Sequence, residues 1–206
     1  MNCIDLWGLT ASDQKQTNRY YDNYGSSSSN PYVVTGCNIG ESADPYQVNI
    51  DIVFSSEKNG NGATKGTLTV YWATYSEVQK GYKGTAVVSV PVVSGGNGFN
   101  PTPAGTYTNL KAEKTSTSNN EVLKNTEHGG DNNLMVRLPN TDGDAIHEGN
   151  INSNIERAYT EGCTAVTADP NDENLSNVSD NYNAFKKAIQ PYGNTEININ
   201  ATVRYN

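Results

Sequence analysis

Polar and apolar residues alternate along several stretches of the chain, and a period of two marks a β-strand with one buried face. From Tyr46 to Phe54 (YQVNIDIVF) the alternation puts Val48, Ile50 and Ile52 on one side, and the run Asn59 to Gly62 supplies a turn. Thr67 to Thr74 (TLTVYWAT) and Thr85 to Val93 (TAVVSVPVV) read as two further strands separated by a short polar segment. Pro91 cannot donate to a ladder, which predicts an edge strand or the end of one. Ser94 to Pro103 (SGGNGFNPTP) is a glycine- and proline-rich loop leading into Gly105, Thr106, Tyr107 and Thr108. Lys111 to Asn133 has no period and is expected to be an excursion loop. Leu134 to Leu138 and Ala145 to His147 predict short strands around a turn at Asp142, Gly143 and Asp144. Asp180 is expected to cap a helix through Tyr182, Phe185, Ala188 and Ile189, which Pro191 and Gly193 end. Glu196 to Tyr205 alternates again and predicts a last strand. The expected result is a mostly β domain over residues 31–206 with one C-terminal helix. A polar, tyrosine-rich lead-in over residues 1–30 precedes it and ends in Gly25 and four serines, Ser26 to Ser29.

Composition narrows the partners. The 206 residues include 29 Asn, only 17% are charged, and 14 basic against 22 acidic side chains give a net charge of −8. A nucleic-acid backbone or an anionic membrane would be repelled by such a chain, and no basic patch offsets this. No apolar window is long enough to span a bilayer. The first residues lack the basic start and apolar core of a signal peptide, so the expectation is either a cytosolic protein or one exported by another route. Cys3, Cys37 and Cys163 are too few and too scattered for a disulfide framework or a CxxC zinc site. A Cys3–Cys37 pair would leave Cys163 as the free thiol.

Cys163 and His147 are the candidates for chemistry. A thiol is nucleophilic as its thiolate, so it needs a base or a positive environment, and donors for the oxyanion it creates. His147 stands 16 residues before Cys163 and follows Ala145 and Ile146. Gly162 lets a carbonyl approach the backbone closely before the cysteine. The amides of Gly162, Cys163 and Thr164 are the natural oxyanion donors, while Gly149, Asn150, Thr160 and Glu161 flank the pair and are expected to meet substrate. An inert buried cysteine and a surface histidine are the structural alternative.

The wider pattern adds to this. Val93 to Tyr107 (VSGGNGFNPTPAGTY), Leu134 to Leu138 (LMVRL), Ile146 to Asn150 (IHEGN) and Thr160 to Cys163 (TEGC) occur in this order. Together they resemble the L,D-transpeptidase (YkuD-like) superfamily, closest to the branch of type VI secretion effectors that attack peptidoglycan. The resemblance covers about Thr67 to Val166. It implies an L,D-transpeptidase-like β-sandwich or barrel, Cys163 as nucleophile, His147 as its base, a peptidoglycan stem peptide as substrate and no cofactor or metal. Two positions depart from the family pattern: Thr164 and Ala165 follow the cysteine where an arginine is common nearby, and Glu148 replaces the glycine after the histidine. A second resemblance lies at Asn2 to Thr10 (NCIDLWGLT), which is similar to the end of an RHS-repeat core. It implies a polymorphic-toxin payload carried to the periplasm or cell wall of a target bacterium without a signal peptide, with a cognate immunity protein as partner.

Two other function classes stay open on the sequence. One is an inactive β-rich binding or structural module; the other is a nuclease toxin of an RHS carrier. His128 reads as a solvated loop residue, and Asp142, Asp144 and Glu148 as a solvated acidic turn rather than a cation loop. Trp72, Tyr71, Tyr75 and Tyr82 read as packing residues rather than sugar platforms. The sequons at Asn174, Asn177 and Asn200 carry little weight in so asparagine-rich a chain.

Overall fold

The computed structural model of the chain describes residues 45–115, 133–141, 143–149, 154–168, 177–191 and 197–206. The described residues are mostly β, with two helices. In chain order they form β1 (Gln47–Lys58), β2 (Thr64–Ala73), α1 (Tyr75–Gln79), β3 (Thr85–Ser94), β4 (Gly105–Leu110), β5 (Ala112–Thr115), β6 (Asn133–Arg137), β7 (Ala145–Glu148), β8 (Thr164–Val166), α2 (Asn177–Ile189) and β9 (Asn198–Tyr205). All nine strands join one sheet in the order β4-β9-β1-β2-β3-β8-β7-β6-β5. The lead-in, Cys3, Cys37 and His128 lie outside the described residues, as do Asp142 and Asn150.

The topology forces the sheet to curl. The edge strands β4 and β5 are separated by Lys111 alone. Nine flat strands would put those edges about 38 Å apart at the usual spacing of about 4.8 Å. One intervening residue lets Leu110 and Ala112 separate by only about 7 Å. The sheet therefore bends into a nearly closed, barrel-like wall. Inside it lie Val48, Ile50, Ile52 and Phe54 of β1, Leu68 and Val70 of β2, Val88, Val90 and Val92 of β3, and Ile199, Ala201 and Val203 of β9. From α2, Tyr182, Phe185 and Ile189 fill the same core. Among the described residues no helix is long and apolar enough to cross a membrane.

Three local expectations are corrected. The polar segment after β2 holds a second helix, α1, announced by a capping box: Thr74 accepts from the Glu77 amide at 3.1 Å, and the Glu77 carboxylate accepts from the Thr74 amide at 2.8 Å. The excursion loop begins with a strand, β5, whose residues pair with β6. Asp180 lies in the first turn of α2 rather than capping it, because the helix begins at Asn177.

Pro91 lies in β3, a central strand between β2 and β8, not at an edge. Its carbonyl accepts from the Thr167 amide at 3.0 Å. In an antiparallel pair of this kind the reciprocal bond would run from residue 91 to the Thr167 carbonyl, and proline has no donor for it. The buried side-chain amide of Asn181, on α2, donates to that carbonyl at 2.8 Å instead. The helix thus completes a ladder that the sequence interrupts.

Candidate active site

β7 and β8 run parallel, with Ile146 beside Thr164 and His147 beside Ala165. One step back along both strands sets Cys163 beside Ala145. On β6, Arg137 is opposite Ala145 and Val136 is opposite Ile146, which sets Met135 opposite His147. Side chains alternate between faces and residues in register share one. Cys163, Ala145, Arg137, His147 and Met135 therefore project from the same side of three adjacent short strands. Val136, Ile146 and Val166 project from the other side, into the core. The two residues expected to carry chemistry sit together on the outer face of the wall.

His147 is buried, and its Nδ1 lies 2.5 Å from the carbonyl oxygen of Glu148. A carbonyl only accepts, so Nδ1 carries the proton and Nε2 the lone pair. Nε2 is buried and has no hydrogen-bond partner among the described residues. Burial holds the ring's pKa below the ordinary histidine value of 6.5, against the opposing pull of the Glu148 carbonyl. The result is a neutral imidazole in one tautomer, with its basic nitrogen unoccupied.

Cys163 is a free thiol, partly buried and packed against Met135 and Ala145. Burial pushes the thiol pKa up; the Ala145 amide opposes this, the Asp144 charge adds to it, and the Arg137 charge and the cysteine's own amide oppose it. Thiol and imidazole make no hydrogen bond. They stand one strand apart and one same-face position out of step, a diagonal of about 8 Å between backbones. At neutral pH both groups are uncharged, which suits general-base activation at the moment of attack rather than a preformed thiolate.

The loop before β8 is held by hydroxyls. Thr102 Oγ1 donates to the Gly162 carbonyl at 2.7 Å, and Thr160 Oγ1 donates to the Cys163 carbonyl at 2.6 Å. Ser94 Oγ lies 2.9 Å from both carbonyls and accepts from the Thr102 amide at 2.8 Å. The Gly95 amide in turn donates to Thr160 Oγ1 at 2.9 Å. A trans peptide points its N–H opposite its C=O, so fixing these two carbonyls aims the amides of Cys163 and Thr164 the other way. Gly162 has φ +121°, and a Cβ there would lie 2.5 Å from Asp144 Oδ1, so no other residue fits without displacement.

The remaining expected site residues separate into scaffold and surface. Gly149 is buried, its amide donates to the Val166 carbonyl at 2.8 Å, and a Cβ there would lie 2.5 Å from the same oxygen. Thr160 is buried with its hydroxyl engaged, and the Thr164 hydroxyl lies 3.0 Å from that of Thr102. Glu161 is exposed. Asn150 lies outside the described residues. Ser94 and Thr102 were visible in the sequence only as parts of a loop and a turn; nothing in a lone hydroxyl announces which carbonyl it will meet.

A groove of about 450 Å³ opens beside this face, lined among others by Asn109, Glu113, Arg137, Leu138 and Asp144. A smaller depression of about 210 Å³ lies on β1 and β9, around Asp51 and Lys83. The solvated acidic turn is corrected: Asp144 and Glu148 are both buried. Among the aromatics, Trp72 packs on the core and donates to the Ala188 carbonyl at 2.8 Å, and Lys83 lies over the Tyr71 ring. Tyr75 and Tyr82 are exposed, not packed inside.

Comparison with known proteins supplies no relative: no family model matches the chain, and no curated protein and no solved structure matches it.

Proposed function

We propose that this protein is a cysteine acyl-transfer enzyme acting on the stem peptides of peptidoglycan, of the L,D-transpeptidase or L,D-carboxypeptidase kind. The observation that carries this reading is the Nε2 lone pair of His147, buried and unpartnered on the same sheet face as the Cys163 thiol. Nε2 takes the thiol proton as sulfur attacks the carbonyl next to the diamino acid. The tetrahedral oxyanion is met by backbone amides of the Gly162–Thr164 loop. Collapse breaks the C–N bond, leaves a thioester on Cys163, and returns the proton from His147 to the departing amine. Water then gives carboxypeptidase cleavage; an amine gives transpeptidation or D-amino-acid exchange. Either outcome consumes donor stems that crosslinking needs, so the chemistry suits an antibacterial toxin delivered to the periplasm or wall of a target cell and countered by an immunity protein.

Intact-mass measurement after incubation with a stem tetrapeptide tests the reading. The expected product is an adduct equal to the peptide minus its terminal amino acid on the wild-type protein and none on Cys163→Ala, with His147→Gln acylating at least tenfold more slowly. A wild-type protein that stays unmodified would falsify it. A second reading, a non-enzymatic β-rich module, is favoured by the raised thiol pKa and by the absence of a thiol–imidazole hydrogen bond. The same experiment separates the two.

A further inference from the structure

We propose that Arg137 recognises a carboxylate of the peptide substrate, with Glu113 occupying its guanidinium until the substrate arrives. The inference rests on the acyl-transfer reading above and names the substrate feature that the groove selects.

Arg137, Ala145 and Cys163 form one row across β6, β7 and β8, on one face. Two strand spacings put Arg137 about 10 Å from Cys163 along the backbone. Ala145, between them, is buried, so a peptide would reach from the thiol to the guanidinium by way of the groove past Asp144, which lines it and lies against Gly162. Arg137 lines the groove of about 450 Å³ and its side chain is 53% exposed. β8 brings no cation of its own, because Thr164, Ala165 and Val166 follow the cysteine and are buried.

The guanidinium is only partly used. Its Nε donates to Glu113 Oε2 at 3.3 Å, and the two terminal nitrogens make no hydrogen bond among the described residues. Arginine carries five donors in a planar fork that matches a carboxylate with two parallel bonds. The Glu113 side chain is also 53% exposed, and an ion pair between exposed groups contributes little. A substrate carboxylate can displace it at small cost. In a stem tetrapeptide that carboxylate belongs either to the terminal residue or to the second centre of the diamino acid. Both lie within a residue or two of the carbonyl that Cys163 attacks.

The experiment compares three tetrapeptides on wild-type protein, Arg137→Gln and Arg137→Lys: the free acid, the C-terminal amide, and the amide at the diamino acid. KM and kcat are read from release of the terminal amino acid, and binding without chemistry from calorimetric titration of Cys163→Ala and of Cys163→Ala/Arg137→Gln. Thermal melting confirms that each variant is folded. One of the two amides should raise the wild-type KM roughly tenfold to hundredfold, the range of a lost charged hydrogen-bond pair, and so identify the carboxylate. Arg137→Gln should raise KM for the free acid by a similar factor, change kcat less, and no longer distinguish acid from amide; Arg137→Lys should fall between. The inference is overturned if Arg137→Gln still prefers the acid as strongly as wild type, or if both amides bind as well as the acid. Carboxylate-dependent binding to Cys163→Ala without any turnover by wild type would leave the inference standing and remove the acyl-transfer reading instead.

Discussion

The wall formed by β9, β1, β2 and β3 and the wall formed by β8, β7 and β6 belong to one sheet, yet they are held together differently. In the first, β1 is flanked without interruption from Gln47 to Phe54 by β9 on one side and β2 on the other, and its inward residues are aliphatic or aromatic. In the second, β6 and β7 meet only at Val136/Ile146 and Arg137/Ala145, and β8 is three residues long. Short strands leave backbone groups that no ladder satisfies, and buried groups of that kind need partners. Side chains provide them. The Tyr182 hydroxyl accepts from the Leu134 amide and donates to its carbonyl; Asn181 serves the Thr167 carbonyl; Ser94, Thr102 and Thr160 serve Gly162 and Cys163. The long-strand wall supplies burial. The short-strand wall gives up ladder bonds and gains a loop that hydroxyls hold beside a partly buried thiol.

Substitutions in the two walls should therefore fail in different ways. The largest effect on folding is expected from Phe54→Ala in the long-strand wall, at about 3–5 kcal/mol in denaturant unfolding, with Cys163 acylation in the protein that remains folded close to normal. Thr102→Val in the short-strand wall should cost less, about 1–3 kcal/mol, while slowing acylation by a much larger relative factor, because the Gly162 carbonyl loses its shortest donor. Equal stability losses together with unaffected acylation in Thr102→Val would break the distinction between the walls. The smallest effect is a pH dependence. The folded-state pKa of His147 lies below 6.5, so the unfolded chain binds its proton first as pH falls. The stability it contributes is fully present above pH 6.5 and is lost as pH drops toward the folded value, at no more than about 1.4 kcal/mol per pH unit for one group. Melting temperature below pH 6.5 should fall more steeply for wild type than for His147→Gln, and a matching slope in both proteins would show that the ring is not buried neutral.

Much of this was legible in the chain. β1 and β9 follow from alternation, because a strand with one buried face writes its period directly into the side chains, whereas β2 and β3 follow from β-rich runs and β6 and β7 from short apolar runs around a turn. The grouping of Cys163 with His147 followed from motif order. α1 was equally legible in the Thr74–Glu77 capping box, which a reading by apolar period passes over in so short a segment. β5 was not: its Ala112, Glu113 and Lys114 have no apolar period, and pairing with β6 makes them a strand. Pro91 was misplaced for a related reason. Its own chemistry forbids a ladder bond, and only the arrival of Asn181 from 90 positions later makes a central strand tolerable.

By itself the sequence determined most of the elements and the presence of a thiol at Cys163 and an imidazole at His147, since periodicity and side-chain chemistry are local properties. The tertiary structure decided which face they share, which ring nitrogen of His147 is left unoccupied, and that Arg137 stands in the row of Cys163. Those depend on register between strands far apart in the chain, where a shift of one residue turns every side chain to the other face.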